Sequence, residues 1–199
     1  MQEKEKVLCN KQDGKQVKAD RNIKKVLITE EQVRKRIREL ADSISNDYRG
    51  KRPLLISVLR GSVVFLADLI RSLKVDCSID FVAISSYGKE LESSGVVRQL
   101  LDLRESPVGK DLILVEDIVD TGYTLSYLRT NLLTRTPRSL KVCVFLDKRS
   151  RRKVDVPVDY CGFTIPDDFV VGYGLDYQEK YRSLPYIGII EPKAGRSRK

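Results

Sequence analysis

Apolar residues along the chain fall into two alternating rhythms. Leu54–Leu59, Ile79–Ser85, Leu112–Val115 and Leu140–Leu146 are short, nearly continuous apolar runs. Such runs are the pattern of strands buried on both faces of a parallel sheet. Between them the spacing turns helical. Val33, Ile37, Leu40, Ala41 and Ile44 follow Thr29-Glu30-Glu31-Gln32, a capping-box pattern. Val63–Leu73 repeats the helical spacing, as do Leu125, Leu128, Leu132 and Leu133. Val96–Leu103 and Tyr186–Ile190 predict further strands, and order begins near Ile23–Ile28. Alternation of this kind predicts an α/β fold, a central, mostly parallel sheet flanked by helices, with its core at about residues 50–150. Residues 1–22, polar and lysine-rich, predict a mobile basic arm.

Composition narrows the reading. The 199 residues suffice for one domain with a sizeable core. No apolar run approaches the length of a membrane span. The absence of histidine excludes histidine bases and histidine metal ligands, and Cys9, Cys77, Cys143 and Cys161 form no C-x-x-C pair. Cys77, Cys143 and Cys161 read as small buried hydrophobes in a reducing compartment, which predicts a cytoplasmic protein. The net charge of +9 raises a nucleic-acid reading, but +8 of it lies in residues 1–25 and 193–199, so residues 26–192 are nearly neutral. The basic ends read as solvation rather than as a nucleic-acid surface.

Candidate chemistry concentrates in Leu112–Leu125. The apolar run meets Glu116 and Asp117 where the strand is expected to end, then Asp120, Thr121, Gly122, Tyr123 and Thr124, before a helical run begins at Leu125. A helix N-terminus presents unpaired N–H groups to anions, and ligands of α/β sheets bind at the carboxyl ends of strands. Gly122 permits a tight turn, and Thr121 and Thr124 add hydroxyl donors. Carboxylates beside a phosphate repel it unless they are occupied, either by sugar hydroxyls or by a divalent cation bridging to phosphate. A phosphorylated ribose with Mg²⁺ nearby satisfies both conditions. The plain alternative is a capped surface helix after a core strand.

The arrangement acid-acid, two apolar residues, acid-Thr-Gly-x-Thr over Glu116–Thr124 resembles the signature of type I phosphoribosyltransferases, and Val-Glu-Asp-Ile-Val-Asp-Thr-Gly resembles their hypoxanthine-guanine branch. Gly-Tyr-Gly-Leu-Asp-Tyr and Leu-Pro-Tyr-Ile-Gly resemble its bacterial members. The resemblance covers roughly residues 23–192 as a single domain and implies a small hood built from residues 23–28 and 155–192, with a basic tail at 193–199. It implies 5-phosphoribosyl-1-diphosphate and hypoxanthine or guanine as substrates, Mg²⁺ as cofactor, and a homodimer or homotetramer.

The resemblance also distributes roles. Glu116, Asp117, Asp120, Thr121, Gly122, Tyr123 and Thr124 would bind the phosphoribosyl group, with Asp120 as general base at purine N7. Arg60 and Gly61, in Leu59-Arg60-Gly61-Ser62, and Arg182 would hold diphosphate. By itself, Arg60-Gly61-Ser62 is equally an ordinary βα turn. Lys148, at the end of a strand, would donate to the purine 6-oxo group, Phe169 would stack on the ring and Val170 would read the base edge through its backbone. Asp176 would face the base and hold metal together with Glu116 and Asp117. Ser86 and Tyr87 would begin a lid running to Gly95. In the basic run Lys148–Lys153, Arg151, Arg152 and Lys153 read as a solvated loop. Two other functions fit parts of the pattern: a xanthine-preferring transferase, and a non-catalytic regulator that senses the diphosphate sugar and binds nucleic acid.

Overall fold

The computed structural model describes residues 22–86 and 97–191. The first elements are a strand β1 (Ile23–Ile28), helix α1 (Glu30–Asp47), strand β2 (Leu54–Leu59), helix α2 (Val63–Ser72), strand β3 (Ser78–Ser86) and strand β4 (Val97–Leu101). Strand β5 (Asp111–Val119), helix α3 (Tyr123–Leu133) and strand β6 (Ser139–Asp147) follow. A short 3-10 turn at Arg149–Arg151 leads to strands β7 (Tyr160–Thr164), β8 (Val170–Val171) and β9 (Ile187–Ile190). The expected arm and tail, and the lid beyond Ser86 to Gly95 including Tyr87, lie outside the described residues, and Ser86 itself closes β3.

Six strands form one sheet in the order β4-β3-β2-β5-β6-β7, parallel throughout except for the β3–β4 pair. Because both faces are covered, side chains that alternate along one strand enter different cores. In β5, Ile113 and Val115 join the cluster beneath α1 and α2, whereas Leu112 and Leu114 join the cluster beneath α3. In β6, Cys143 and Phe145 face the first cluster, and Val142 and Val144 the second. This two-sided burial is why the strands read as continuous apolar runs. Each fully buried aliphatic side chain contributes about 1.5–3 kcal/mol. Cys77, Cys143 and Cys161 are free thiols, with Cys143 buried and the other two partly so.

The capping box forms as the sequence predicts: Gln32 N–H donates to Thr29 Oγ1 at 3.3 Å while Thr29 N–H donates to Gln32 Oε1 at 2.8 Å. α1 is also tied to the outermost strand, since Arg36 donates to the backbone carbonyls of Gly162 and Cys161 at 2.8 and 2.7 Å.

Two boundaries differ from the sequence reading. β5 does not stop before Glu116 but continues to Val119, because β6 keeps pairing with it through Glu116↔Val144, Ile118↔Leu146 and Val119↔Asp147. The hood is smaller than residues 23–28 plus 155–192. Its sheet is β1-β9-β8, antiparallel throughout, while β7 pairs in parallel with β6 and belongs to the large sheet.

Candidate active site

Strand order reverses between β2 and β5. From β2 the chain proceeds outward to β3 and β4, and from β5 it proceeds the other way to β6 and β7. The carboxyl ends of two such strands diverge and leave a crevice, the usual ligand position in open α/β sheets. A cavity of about 260 Å³ lies there, lined by Val58, Leu59, Arg60, Gly61, Glu116, Asp117, Leu175, Asp176 and Arg182. Every residue singled out for diphosphate or metal is on that wall: Arg60, Gly61 and Arg182, and Glu116, Asp117 and Asp176.

The loop after β2 fits tightly against the carboxylates. A side chain at Gly61 would place its Cβ 1.6 Å from Asp117 Oδ2, so only glycine admits this contact. The Leu59–Arg60 peptide is cis. Ser62 is fully buried, donates to the Val58 carbonyl, and lies 2.6 Å from Ser57 Oγ, which pins the far end of the loop to β2. The serine side chain thus restrains the loop. On the opposite wall Arg182 donates to the Gly174 carbonyl at 2.8 Å and pairs with Asp176 at 2.7 Å, while Arg60 pairs with Glu179 at 2.7 Å. Glu179 also approaches Arg182 at 3.5 Å, so one carboxylate bridges the two guanidinium groups. No periodicity or motif singles out Glu179, which adopts a positive φ of 60° in an irregular turn.

Burial dominates the electrostatics of the floor. It pushes the Asp117 carboxyl up to about 6, although the Ile118 N–H donates to it at 2.9 Å and the Arg182 charge favours its ionised form. Glu116 is raised well above the ordinary carboxylate range by burial and then by the neighbouring Asp117, and its Oε2 is buried with no hydrogen-bond partner. A buried oxygen left without a partner is costly in isolation and suits a ligand that supplies a donor or a cation. Among the described residues no group of three or more carboxylate, cysteine or histidine side chains is arranged to hold a metal by itself. Hard oxygen donors on only one side of a site fit Mg²⁺, which keeps waters and takes its remaining ligands from substrate phosphates.

Beyond Val119 the backbone turns into α3. Gly122 takes a positive φ of 88°, and a Cβ there would lie 2.8 Å from the Val154 carbonyl. No side chain caps α3, so the N–H groups of its first turn remain available to an anion beside Thr121 and Thr124. The loop after β6 is stitched to this turn, since Lys153 and Val154 N–H groups donate to the Thr121 carbonyl at 3.0 and 3.2 Å. Tyr123 projects with 42% of its surface exposed.

The residues matched to the base lie at the ends of β6 and in the hood. Lys148 is buried, its backbone N–H donates to the Val119 carbonyl at 2.9 Å, and its ammonium is 3.6 Å from Asp167. Phe169 is 42% exposed, with its ring 5.5 Å from Tyr177 in an edge-on arrangement. Val170 is in β8, an edge strand of the hood whose only strand partner among the described residues is β9. Asp120 accepts from Arg151 Nε at 2.8 Å, and Arg151 also reaches Asp167 at 3.4 Å.

In the basic run after β6, Arg151 and Lys153 are exposed as the solvated-loop reading expects, but Arg152 is not. Arg152 pairs with the buried Asp147 at 3.0 Å and donates to the Val156 carbonyl at 2.7 Å, and Arg149 approaches the same carboxylate at 3.2 Å. Burial of Asp147 at the end of β6 demands these partners. A lone acid ending an apolar run, followed by arginines, was the available sign.

A family model for the phosphoribosyl transferase domain matches residues 27–178. The hypoxanthine-guanine phosphoribosyltransferase of Mycobacterium tuberculosis is 51% identical over 178 residues, covering 86% of this chain and 88% of that protein. The crystal structure of a hypoxanthine-guanine phosphoribosyltransferase from Bacillus anthracis superposes with a TM-score of 0.82 at 48% identity, covering 85% of this chain and 99% of that one. A hypoxanthine phosphoribosyl transferase of Trypanosoma cruzi, studied for the effect of its C-terminal region on oligomeric state and activity, gives a TM-score of 0.83 at 48% identity, covering 87% and 94%.

Proposed function

The chain belongs to the phosphoribosyl transferase domain family, and from that premise we propose that it joins hypoxanthine or guanine to 5-phosphoribosyl-1-diphosphate, giving IMP or GMP and diphosphate. The observation that carries this reading is a cavity at the strand-order reversal lined by Arg60, Gly61 and Arg182 together with Glu116, Asp117 and Asp176.

The 5-phosphate is received by the uncapped start of α3 and the hydroxyls of Thr121 and Thr124. Glu116 and Asp117 accept from the ribose hydroxyls, which give the orphaned Glu116 oxygen a donor. Glu116, Asp117 and Asp176 would hold Mg²⁺, which would supply positive charge to stabilise the departing diphosphate. Arg60 and Arg182, which pair with Glu179 and Asp176, stabilise the negative charge of the diphosphate. The bond from C1′ to the diphosphate oxygen breaks with its electron pair leaving on diphosphate, and the base nitrogen forms the new bond to C1′. Asp120 takes the proton from N7. Lys148 donates to the 6-oxo group, Phe169 stacks on the ring and the Val170 backbone contacts its edge. A neutral amino group in place of the 6-oxo group would leave Lys148 without an acceptor, which disfavours adenine. Ser86 and Tyr87 begin the lid of this reading.

Cys77, Cys143 and Cys161, free thiols among the described residues, support a cytoplasmic setting. A homodimer or homotetramer is the assembly we assign, in line with the family resemblance of the sequence. The test is incubation with Mg²⁺, the sugar diphosphate and, separately, hypoxanthine, guanine, xanthine, adenine and uracil, followed by nucleotide detection. Formation of IMP and GMP is expected. Turnover only with xanthine would reassign the base, and turnover with none would reject the enzyme.

A further inference from the structure

Four charged side chains at the base end of the site form one chain of contacts: Asp120 with Arg151 Nε at 2.8 Å, Arg151 with Asp167 at 3.4 Å, and Asp167 with Lys148 at 3.6 Å. Its two ends are the residues assigned to the purine, and its middle is not assigned to anything. Arg151 ends the 3-10 turn after β6, and Asp167 is three residues before β8, so two different loops supply the middle pair.

The polarity of the chain matters. Arg151 gives Asp120 a donor, and Asp167 gives the Lys148 ammonium a negatively charged oxygen at ion-pair distance. The N7 and C6 side of a 6-oxopurine offers the same two functions in the same order: an N7–H donor beside a carbonyl acceptor. We propose that Arg151 and Asp167 are an internal stand-in for that purine edge, which hypoxanthine or guanine must displace, and that the pair thereby sets base affinity and selectivity. This inference rests on the proposed base site.

Displacement is feasible because the side chains of Arg151, Asp167 and Asp120 are 45%, 49% and 44% exposed, so water weakens the contacts to be broken. After displacement Arg151 and Asp167 retain each other. Lys148, only 10% exposed, is the group for which loss of an acceptor is most costly. A 6-oxo group replaces Asp167 there, whereas an amino group does not. The stand-in therefore raises the barrier for adenine more than for hypoxanthine.

Neutral replacement should strengthen base binding, an outcome that general damage to the site does not produce. Initial rates at saturating sugar diphosphate and Mg²⁺ would give the hypoxanthine KM of Arg151→Ala, Arg151→Lys and Asp167→Asn, beside melting temperatures. The expected result is a hypoxanthine KM lowered roughly two- to five-fold in Arg151→Ala and Asp167→Asn, the range to which exposed ion pairs convert. The KM for the sugar diphosphate should stay in place, and Arg151→Lys should return the hypoxanthine KM toward wild type. A hypoxanthine KM unchanged or raised in both neutral variants, with wild-type melting, overturns the inference. If Arg151→Ala melts early, Asp167→Asn alone decides by the same criterion. Lys148→Ala separates the two levels: a raised hypoxanthine KM there with no gain in the other variants rejects the stand-in alone, whereas an unmoved KM rejects the base site on which it rests.

Discussion

Gly61 and Asp117 are packed so closely that a Cβ on the glycine would fall 1.6 Å from the Asp117 carboxylate oxygen. The loop after β2 and the floor supplied by β5 are thus a single interlocked wall. Gly61→Ala should shift one against the other and lower stability by about 1–3 kcal/mol, the usual cost of forced overpacking. Urea denaturation would measure it, and calorimetric titration should show weaker sugar-diphosphate binding. Adding Asp117→Ala removes the obstructing atoms, so the double variant should regain much of the lost stability. Strict additivity of the two changes would show that the contact is not the cause.

Asp117 also makes stability depend on pH. Its carboxyl rises from an ordinary 3.8 to about 6 on folding, chiefly through burial. The folded state therefore holds this proton more tightly than the unfolded chain. The associated stability is fully present below about pH 4 and is lost as pH rises through about 6. At most roughly 3 kcal/mol is involved. Asp117→Asn, which keeps an acceptor for the Ile118 N–H, should raise the melting temperature above pH 6 without added Mg²⁺, with the gain vanishing near pH 4. An equal gain at pH 4 and pH 8 would rule out the buried charge as its source.

For Asp120→Asn, sugar-diphosphate binding should remain within about twofold while the chemical step slows by roughly 10²-fold or more, the usual worth of a positioned base. Single-turnover kinetics isolates that step. Near wild-type turnover would remove Asp120 from the role of proton acceptor.

Lys148→Ala should weaken binding of hypoxanthine and guanine by about tenfold, the range of a lost charged hydrogen bond, and leave sugar-diphosphate affinity in place. Calorimetry showing the reverse pattern would move Lys148 out of the base site.

The arginines beside it divide sharply. Arg152→Ala strips a guanidinium from Asp147, which is 1% exposed, and should destabilise the protein by about 2–4 kcal/mol because Arg149 compensates only in part. Arg151→Ala, removing contacts between half-exposed groups, should cost under about 1 kcal/mol. Chemical denaturation of the two variants side by side checks the contrast.

Those neighbouring arginines mark where the sequence became hard to read. Strands such as Leu54–Leu59 were legible because burial on both faces leaves no polar gap, and α1 was legible because Thr29 and Gln32 announce its start. Glu116 and Asp117 seemed to end a strand since they end an apolar run, yet strand pairing with β6 depends on backbone groups and carries β5 on to Val119. The motif-bearing residues around the cavity were nameable by resemblance. Glu179, Arg151 and Asp167 were not, because each owes its place to a partner far away in sequence: Arg60, Asp120 and Lys148. Long-range charge pairing leaves no periodic trace. The extent of the hood was misjudged for a related reason, since β7 is short and is placed in the large sheet by its partner β6 rather than by a pattern of its own.

The hold of Arg36 on the carbonyls of Cys161 and Gly162 reaches beyond the packing of α1. Among the described residues β7 is the last strand on its side of the large sheet, and unpaired backbone acceptors on such a margin can template the addition of a strand from another molecule. With a guanidinium holding two of its carbonyls, that margin offers fewer free acceptors to an incoming strand.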